Sequence, residues 1–403
     1  MKQFLSSLLL LMSSSSFAAE LESQPLTLAL ESFAEQLLHK KAPAGGRATA
    51  ISMAVQCKNN SPIYVNVGTH GFHDPTPIHK NSLFRIGSIT KSFISVVILQ
   101  LVQEKGLSLD DSTLIAKYFP EYPKWRHITL RQLLNMTSGI PANSTGLADD
   151  IFLQFSEQEY KNYMSPKKIL GLEHELPLRF APGTGFEYSN ANTILLGQFI
   201  EKLTGQDIRH EVKQRIFKKL DLQHTYFPKD KIFMVPGIDQ SAIVHGYSFY
   251  PQQGFKQYSF IPEGADSSRW TVSISNAAGA IVSTPADINT YIHALYNPGP
   301  LLNEAQIKDL TTLVSKISGS SLVLKKGVEE LGYGMGIVGY YWPKIDHVIY
   351  LFNGSTEGYS FIYLYAPKNQ LYLSYAVNVN PASQVAGFDN SIELFSKLYS
   401  LCK

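Results

Sequence analysis

Ser88 and Lys91 stand three residues apart in Leu83-Phe84-Arg85-Ile86-Gly87-Ser88-Ile89-Thr90-Lys91-Ser92-Phe93. If this stretch begins a helix, both side chains share one face, one turn apart. A serine hydroxyl is a weak nucleophile at neutral pH and needs a neighbouring base to take its proton. A lysine amine can be that base only when burial or nearby positive charge lowers its pKa. The chemistry this pair could perform is therefore acyl transfer through a covalent ester on the serine.

The flanking residues supply the burial. Ser92-Phe93-Ile94-Ser95-Val96-Val97-Ile98-Leu99-Gln100-Leu101-Val102 carries no charge and is apolar nearly all round, the pattern of a helix enclosed in a core. Gly106 stands where the helix would end. Lys91 is then either functional or a snorkelling surface lysine. The bare Ser-x-x-Lys pattern also occurs at Ser165 and Ser400. Ser165 reads as an N-cap with Pro166 at the first helical position, and Ser400 falls in a terminus expected to fray.

The 403 residues are 44% hydrophobic and 17% charged, with a net charge of +2. Such a chain can bury a large core and is not disordered in character. The near balance of charge, without long basic runs, argues against nucleic acid or an anionic membrane surface as a partner. Met1 to Ala18 has the form of a secretory signal: Lys2, an apolar stretch from Phe4 to Met12, then Ser16-Phe17-Ala18 as a small-x-small cleavage site. That stretch is too short for a stable membrane span. A periplasmic or secreted mature protein without a stable membrane anchor is expected, with residues 19–403 as its one domain. Cys57 and Cys402 suit an oxidising compartment; two free thiols and one bridge between the chain ends are both compatible with the sequence.

Apolar periodicity marks a helix over Leu26 to Leu38, then strands over Ala48 to Gln56 and Ile63 to Gly68. A capped helix start falls at Ile128 to Leu134, and another helix at Leu195 to Leu203, stopped by Gly205. The small residues from Asn276 to Asp287 run into a further helix. Strand patterns return at Gly332 to Val338, His347 to Phe352, Tyr359 to Tyr365 and Leu371 to Val379, and Ile392 to Leu401 closes the chain as a helix. The order predicts an α+β fold: an antiparallel sheet drawn from both chain ends, flanked by helices, with a mainly helical lobe inserted roughly within residues 85–275.

Tyr188-Ser189-Asn190 follows a turn-rich segment, Phe180 to Glu187. A tyrosine beside a lysine can relay protons, and an asparagine amide can orient a carbonyl. Tyr-x-Asn also occurs at Tyr64 and Tyr160, so spacing alone does not single it out. Taken together, Ser88-x-x-Lys91 and Tyr188-x-Asn190 resemble the first two motifs of the serine β-lactamase and penicillin-binding-protein superfamily. The Tyr-x-Asn form is similar to that of the class C β-lactamase, D,D-carboxypeptidase and esterase branch. Gln132 to Pro141 and Ala181 to Gly197 resemble segments of that branch as well.

The resemblance implies Ser88 as acylating nucleophile, Lys91 as its base, Tyr188 as proton relay and Asn190 as a substrate ligand. It places the third motif at Phe352-Asn353-Gly354-Ser355, with the backbone N–H groups of Ser88 and Ser355 forming an oxyanion hole. It implies no cofactor and no metal. His70-Gly71-Phe72-His73-Asp74 has ligand residue types but no further ligand at a telling spacing. The third motif departs from the branch, since Phe352 stands where lysine or histidine is usual. An apolar ring there offers no partner for a carboxylate, so uncharged esters are expected to be favoured. The substrates implied are a small ester, a peptidoglycan-type peptide or a β-lactam. A catalytically silent binding or sensor module that retains the pocket is the alternative.

Overall fold

In the computed structural model, residues 23–40, 46–141, 161–249, 264–380 and 388–402 are described. Met1 to Ala18 and Tyr160 lie outside them. Among the described residues, one ten-stranded antiparallel sheet dominates: β1 (Ala50–Cys57), β2 (Ile63–Gly71), β3 (Asp74–Pro77), β4 (Leu313–Ser315), β5 (Ser321–Leu322), β6 (Gly332–Tyr333), β7 (Val338–Trp342), β8 (His347–Thr356), β9 (Tyr359–Ala366) and β10 (Leu371–Val377). Their spatial order is β3-β2-β1-β10-β9-β8-β7-β6-β4-β5. The N-terminal strands thus pair with the last long strand, through Ile51 opposite Val377 and Cys57 opposite Leu371.

Both faces of the sheet are covered, which is why β9 and β10 read as unbroken apolar runs and are buried throughout. Alternation along β10 assigns the faces. Tyr375 meets helix α1 (residues 23–39) at Phe33 and the closing helix at Ser391. Tyr372 and Ser374 point the other way. Ser374 Oγ donates to the Pro285 carbonyl at 2.7 Å, and Asn297 donates to the Tyr372 hydroxyl at 2.9 Å. On that side helix α2 (Thr90–Glu104) has every residue from Thr90 to Leu101 buried. Phe93 of α2 stacks on Tyr291, their ring centroids 3.7 Å apart, an arrangement that adds to the energy of burial alone.

The segment between β3 and β4 carries most of the other helices, among them α3 (Asn190–Thr204) and α4 (Pro285–Tyr296). Their ends follow local rules. Thr129 and Gln132 form a reciprocal capping box at Leu130–Leu134, Ser165 caps Pro166–Glu175, and Gly205 ends α3 in the left-handed region. The closing helix, α5, spans Phe388–Leu401.

Two local expectations are corrected. Gly332 to Val338 is not one strand but the start of a hairpin. Gly334 N–H bonds the Ile337 carbonyl at 2.9 Å, closing a turn between β6 and β7. Glycine at positions 332, 334 and 336 breaks the side-chain alternation that a strand needs. Ser400 is not in a frayed tail, for α5 runs through it to Leu401. The tail is held because Cys402 is bonded to Cys57, their Cα atoms 5.6 Å apart. That disulfide ties the end of α5 to the end of β1.

Candidate active site

The Gly87–Ile89 segment is a single 3-10 turn leading directly into α2. Ser88 is therefore presented just ahead of the α-helix, and Lys91 lies in its first turn. The amine of Lys91 is enclosed, at 1% exposure, which rules out the snorkelling alternative. It reaches three oxygens: Ser88 Oγ at 3.1 Å, Asn190 Oδ1 at 2.7 Å and the Ala278 carbonyl at 2.9 Å. No carboxylate is among these partners, and burial holds the Lys91 pKa well below the ordinary lysine value.

Tyr188 closes the other side, with its ring centroid 4.8 Å from Lys91 Nζ. Burial raises the phenol above its ordinary value, and a hydrogen bond with Ser88 offsets only part of this. At neutral pH it therefore remains a phenol and not a phenolate. The backbone around Tyr188 is held by the loop from Asn135 to Pro141. Glu187 N–H bonds the Met136 carbonyl at 3.1 Å, Gly183 N–H bonds the Thr137 carbonyl at 2.7 Å, and Ser189 Oγ donates to the Pro141 carbonyl at 2.8 Å. One turn into α3, Asn192 accepts from Ser138 Oγ at 2.7 Å.

The strand β8 lies directly against the nucleophile turn. Gly354 has no room for a side chain: a Cβ there would collide with the Ile86 carbonyl and stand 3.0 Å from the Ser88 backbone nitrogen. In return, a Cβ on Gly87 would stand 2.6 Å from the Ser355 backbone nitrogen. Only bare backbone allows this approach. It brings the backbones of the Ser88 turn and of Ser355 together, and both residues line one cavity. Ser355 Oγ is itself fixed, donating to Asn380 Oδ1 at 2.6 Å.

A cavity of about 260 Å³ opens at Ser88. Its walls include Tyr188, Phe352, Asn353 and Ser355, so most of the expected site residues converge here. Three sit differently, the first being Lys91, which is deeper and bonded to Ser88 Oγ. Asn190 contacts Lys91 through its carbonyl oxygen, which leaves only its amide NH2 for a substrate. Gly354 serves the close approach instead of lining the cavity. Phe352 is 4% exposed, its ring 6.1 Å from that of Tyr333.

Lys316, Tyr333 and Val338 also line the cavity, and sequence reasoning did not find them. Tyr333 and Val338 carried only a strand pattern. Lys316 is separated by 36 positions from Phe352 and belongs to no motif. The Ala278 carbonyl is a fourth unforeseen contributor, set by the turn at Asn276, whose φ is +38°.

Comparison with known proteins gives the family and the fold. The family model Beta-lactamase matches residues 40–394. The chain belongs to the Beta-lactamase family. A penicillin-binding protein of Bacillus subtilis (strain 168) is 26% identical over 306 residues, covering 74% of this chain and 62% of its own length. Protein flp of Staphylococcus aureus (strain MW2) is 33% identical over 178 residues, 42% of this chain and 33% of that protein. The chain thus spans less than two thirds of these relatives. Among solved structures, a D-stereospecific amidohydrolase from Streptomyces sp. superposes with a TM-score of 0.69 at 25% identity, covering 93% of this chain and 97% of that one. The D-amino acid amidase of Ochrobactrum anthropi SV3 complexed with D-phenylalanine gives a TM-score of 0.75 at 22% identity, covering 93% and 99%. In the described residues no helix is long and apolar enough to cross a membrane.

Proposed function

We propose that this Beta-lactamase family member forms an acyl-enzyme on Ser88 and hydrolyses an ester, or an amide or peptide of a D-amino acid. The reading rests above all on the hydrogen-bond inventory of Lys91. A neutral amine has two N–H donors and one lone pair. Asn190 Oδ1 and the Ala278 carbonyl take the two donors, at 2.7 and 2.9 Å, so the lone pair is left for the Ser88 hydroxyl 3.1 Å away. Burial favours that neutral amine.

In this mechanism Ser88 Oγ attacks the scissile carbonyl as its proton passes to Lys91. The carbonyl oxygen gains negative charge facing the N–H groups of Ser88 and Ser355, a type of interaction worth about 3 kcal/mol per donor. Tyr188, kept protonated by burial, passes a proton to the departing alcohol or amine as the C–O or C–N bond breaks. The Lys91 ammonium then returns its proton to the Tyr188 phenolate, which restores both groups. Water attacks the ester on Ser88 with Lys91 taking its proton, and that proton passes to Ser88 Oγ as the acid is released. The reading assigns to the Asn190 amide NH2 the orientation of the acyl group.

A location outside the cytoplasm belongs to the same reading, with Met1 to Ala18 removed as a signal and residues 19–403 as the hydrolase domain. The Cys57–Cys402 bond supports an oxidising compartment. The deciding experiment is covalent labelling by a fluorescent fluorophosphonate. Wild type is expected to label and Ser88→Ala to be blank while keeping its thermal transition, since replacing a serine at a helix start costs only about 1 kcal/mol. Undiminished labelling of folded Ser88→Ala removes the nucleophile assignment. A wild type that does not label is a silent binding protein.

A further inference from the structure

We propose that Lys316 is the specificity-determining cation of the Ser88 cavity and that the substrate carries a carboxylate beside the scissile bond. This deepens the hydrolase reading and rests on it. Among the cavity-lining residues Ser88, Tyr188, Lys316, Tyr333, Val338, Phe352, Asn353 and Ser355, Lys316 is the one with a formal charge, and none is acidic. Lys91 is deeper, its amine engaged by three oxygens. Among the described residues Lys316 has no ion pair and no hydrogen bond. Glu330, the nearest carboxylate in its hairpin, is taken by the Ser315 hydroxyl and the Ile317 N–H.

The segment that presents Lys316 is built as a rigid turn. The Ser315 hydroxyl accepts from Ile317 N–H at 3.1 Å and from Ser318 N–H at 3.0 Å. Gly319 N–H bonds the Ser315 carbonyl at 2.9 Å, and Ser315 N–H bonds the Ser320 carbonyl at 2.8 Å. Gly319 has a φ of +74° and packs backbone to backbone on Gly185, where any Cβ would collide with the Gly185 carbonyl. Gly185 belongs to the loop that carries Tyr188. The turn bearing Lys316 is therefore braced against the loop that carries the proton relay, which fixes the backbone from which the lysine side chain projects.

Burial also lowers the Lys316 pKa. Such an amine, partly stripped of water and lacking a counter-charge, gains most from an anionic partner. The apolar ring of Phe352 then serves as a wall and not as the anion site. Carboxylate recognition by Lys316 and the expectation drawn from Phe352 alone, that uncharged esters are favoured, are competing readings of this cavity.

The test separates anion recognition from catalysis. In the Ser88→Ala background, which cannot acylate, calorimetry compares N-acetyl-D-Ala-D-Ala as the free acid with its C-terminal amide. The acid is expected to bind at least tenfold more tightly, and Ser88→Ala/Lys316→Gln to lose that preference. Lys316→Arg, which keeps the charge, is expected to retain it. With Ser88 intact, Lys316→Gln is expected to lower the acid-to-amide ratio of kcat/KM at least tenfold, and rising salt to weaken the acid more than the amide. Equal binding of acid and amide, or no binding of either, overturns the proposal, as does an equal loss on both in Lys316→Gln. Absence of Ser88-dependent labelling in wild type overturns the hydrolase reading instead, and the calorimetric arm still reads Lys316.

Discussion

On one side of the cavity, Ser88 and Tyr188 at the wall, with Lys91 and Asn190 in the hydrogen-bond chain leading from Ser88, come from two windows of three or four residues each. On the other, Lys316, Tyr333, Val338 and Phe352 come from a turn and three separate strands. The first wall is polar and closed on itself: each hydrogen of a neutral Lys91 has an acceptor and Tyr188 is tied to Ser88. The second is apolar apart from one lysine with no partner among the described residues. The contrast teaches that proton transfer and recognition are built separately here. Moving a proton demands sub-ångström placement, which neighbouring residues on one helix provide. Recognising a substrate needs only a charge and a shape, which distant segments can supply in many ways.

The largest expected effect tests whether the first wall acts as one unit. Lys91→Ala and Tyr188→Phe are each expected to lower kcat about a thousandfold, the usual scale for losing a positioned acid or base. The double variant is expected to lose little more than either single one, because a proton-transfer unit fails when any member is removed. Losses that multiply would show that the two residues act independently and that the wall is not a unit.

Next comes the seam between the walls. Gly354→Ala adds one methyl group where the Ile86 carbonyl already stands, so β8 must move away from the nucleophile turn. Displacing the Ser355 N–H is expected to cost about a hundredfold in kcat, with about 1–3 kcal/mol lost from stability through overpacking. Retained activity in Gly354→Ala would place the oxyanion donors elsewhere.

How legible each wall was in the sequence follows from the same contrast. Ser88-x-x-Lys91 and Tyr188-x-Asn190 are local patterns backed by a helix that is apolar all round, and the burial of Thr90 to Leu101 follows from that run. The long strands were equally readable, because β9 and β10 are covered on both faces and carry continuous apolar residues. The β6–β7 hairpin was missed because its glycines leave no periodicity to read. Lys316 was missed for a different reason. An isolated lysine in a turn looks like any surface lysine until the fold brings Gly319 against Gly185.

A smaller, graded effect is the pH dependence. Lys91 must be unprotonated to accept the Ser88 proton, and burial lowers its pKa. Below that pKa, kcat/KM is expected to fall about tenfold per pH unit as the amine becomes protonated. On the amide substrate no matching fall is expected up to pH about 10, because Tyr188 is raised above its ordinary value and keeps its proton there. On the acid, kcat/KM is expected to fall on the basic side as Lys316, whose pKa burial lowers, loses its charge. Tyr188→Phe should leave the acid-side inflection in place, whereas loss of that inflection would assign it to the phenol. The profile thus distinguishes which member of the polar wall is the base.

The smallest effect is predicted at Phe352, where sequence reasoning alone expects the largest change in specificity. If this ring governed charge selection, Phe352→His would create the missing donor, and a tenfold gain in the acid-to-amide ratio would need only about 1.4 kcal/mol. With Lys316 already facing the same cavity, a second donor adds little to a carboxylate that is paired. It also places a polar ring in a position that is 4% exposed, against Tyr333. Burying an imidazole there without a partner costs part of what the donor provides. The ratio of kcat/KM for acid over amide is therefore expected to rise less than about threefold in Phe352→His. The same substitution in a Lys316→Gln background is expected to have a larger effect, since the carboxylate then lacks a cation. A full tenfold gain in the single variant would return charge selection to the strand and leave Lys316 as a bystander on the wall.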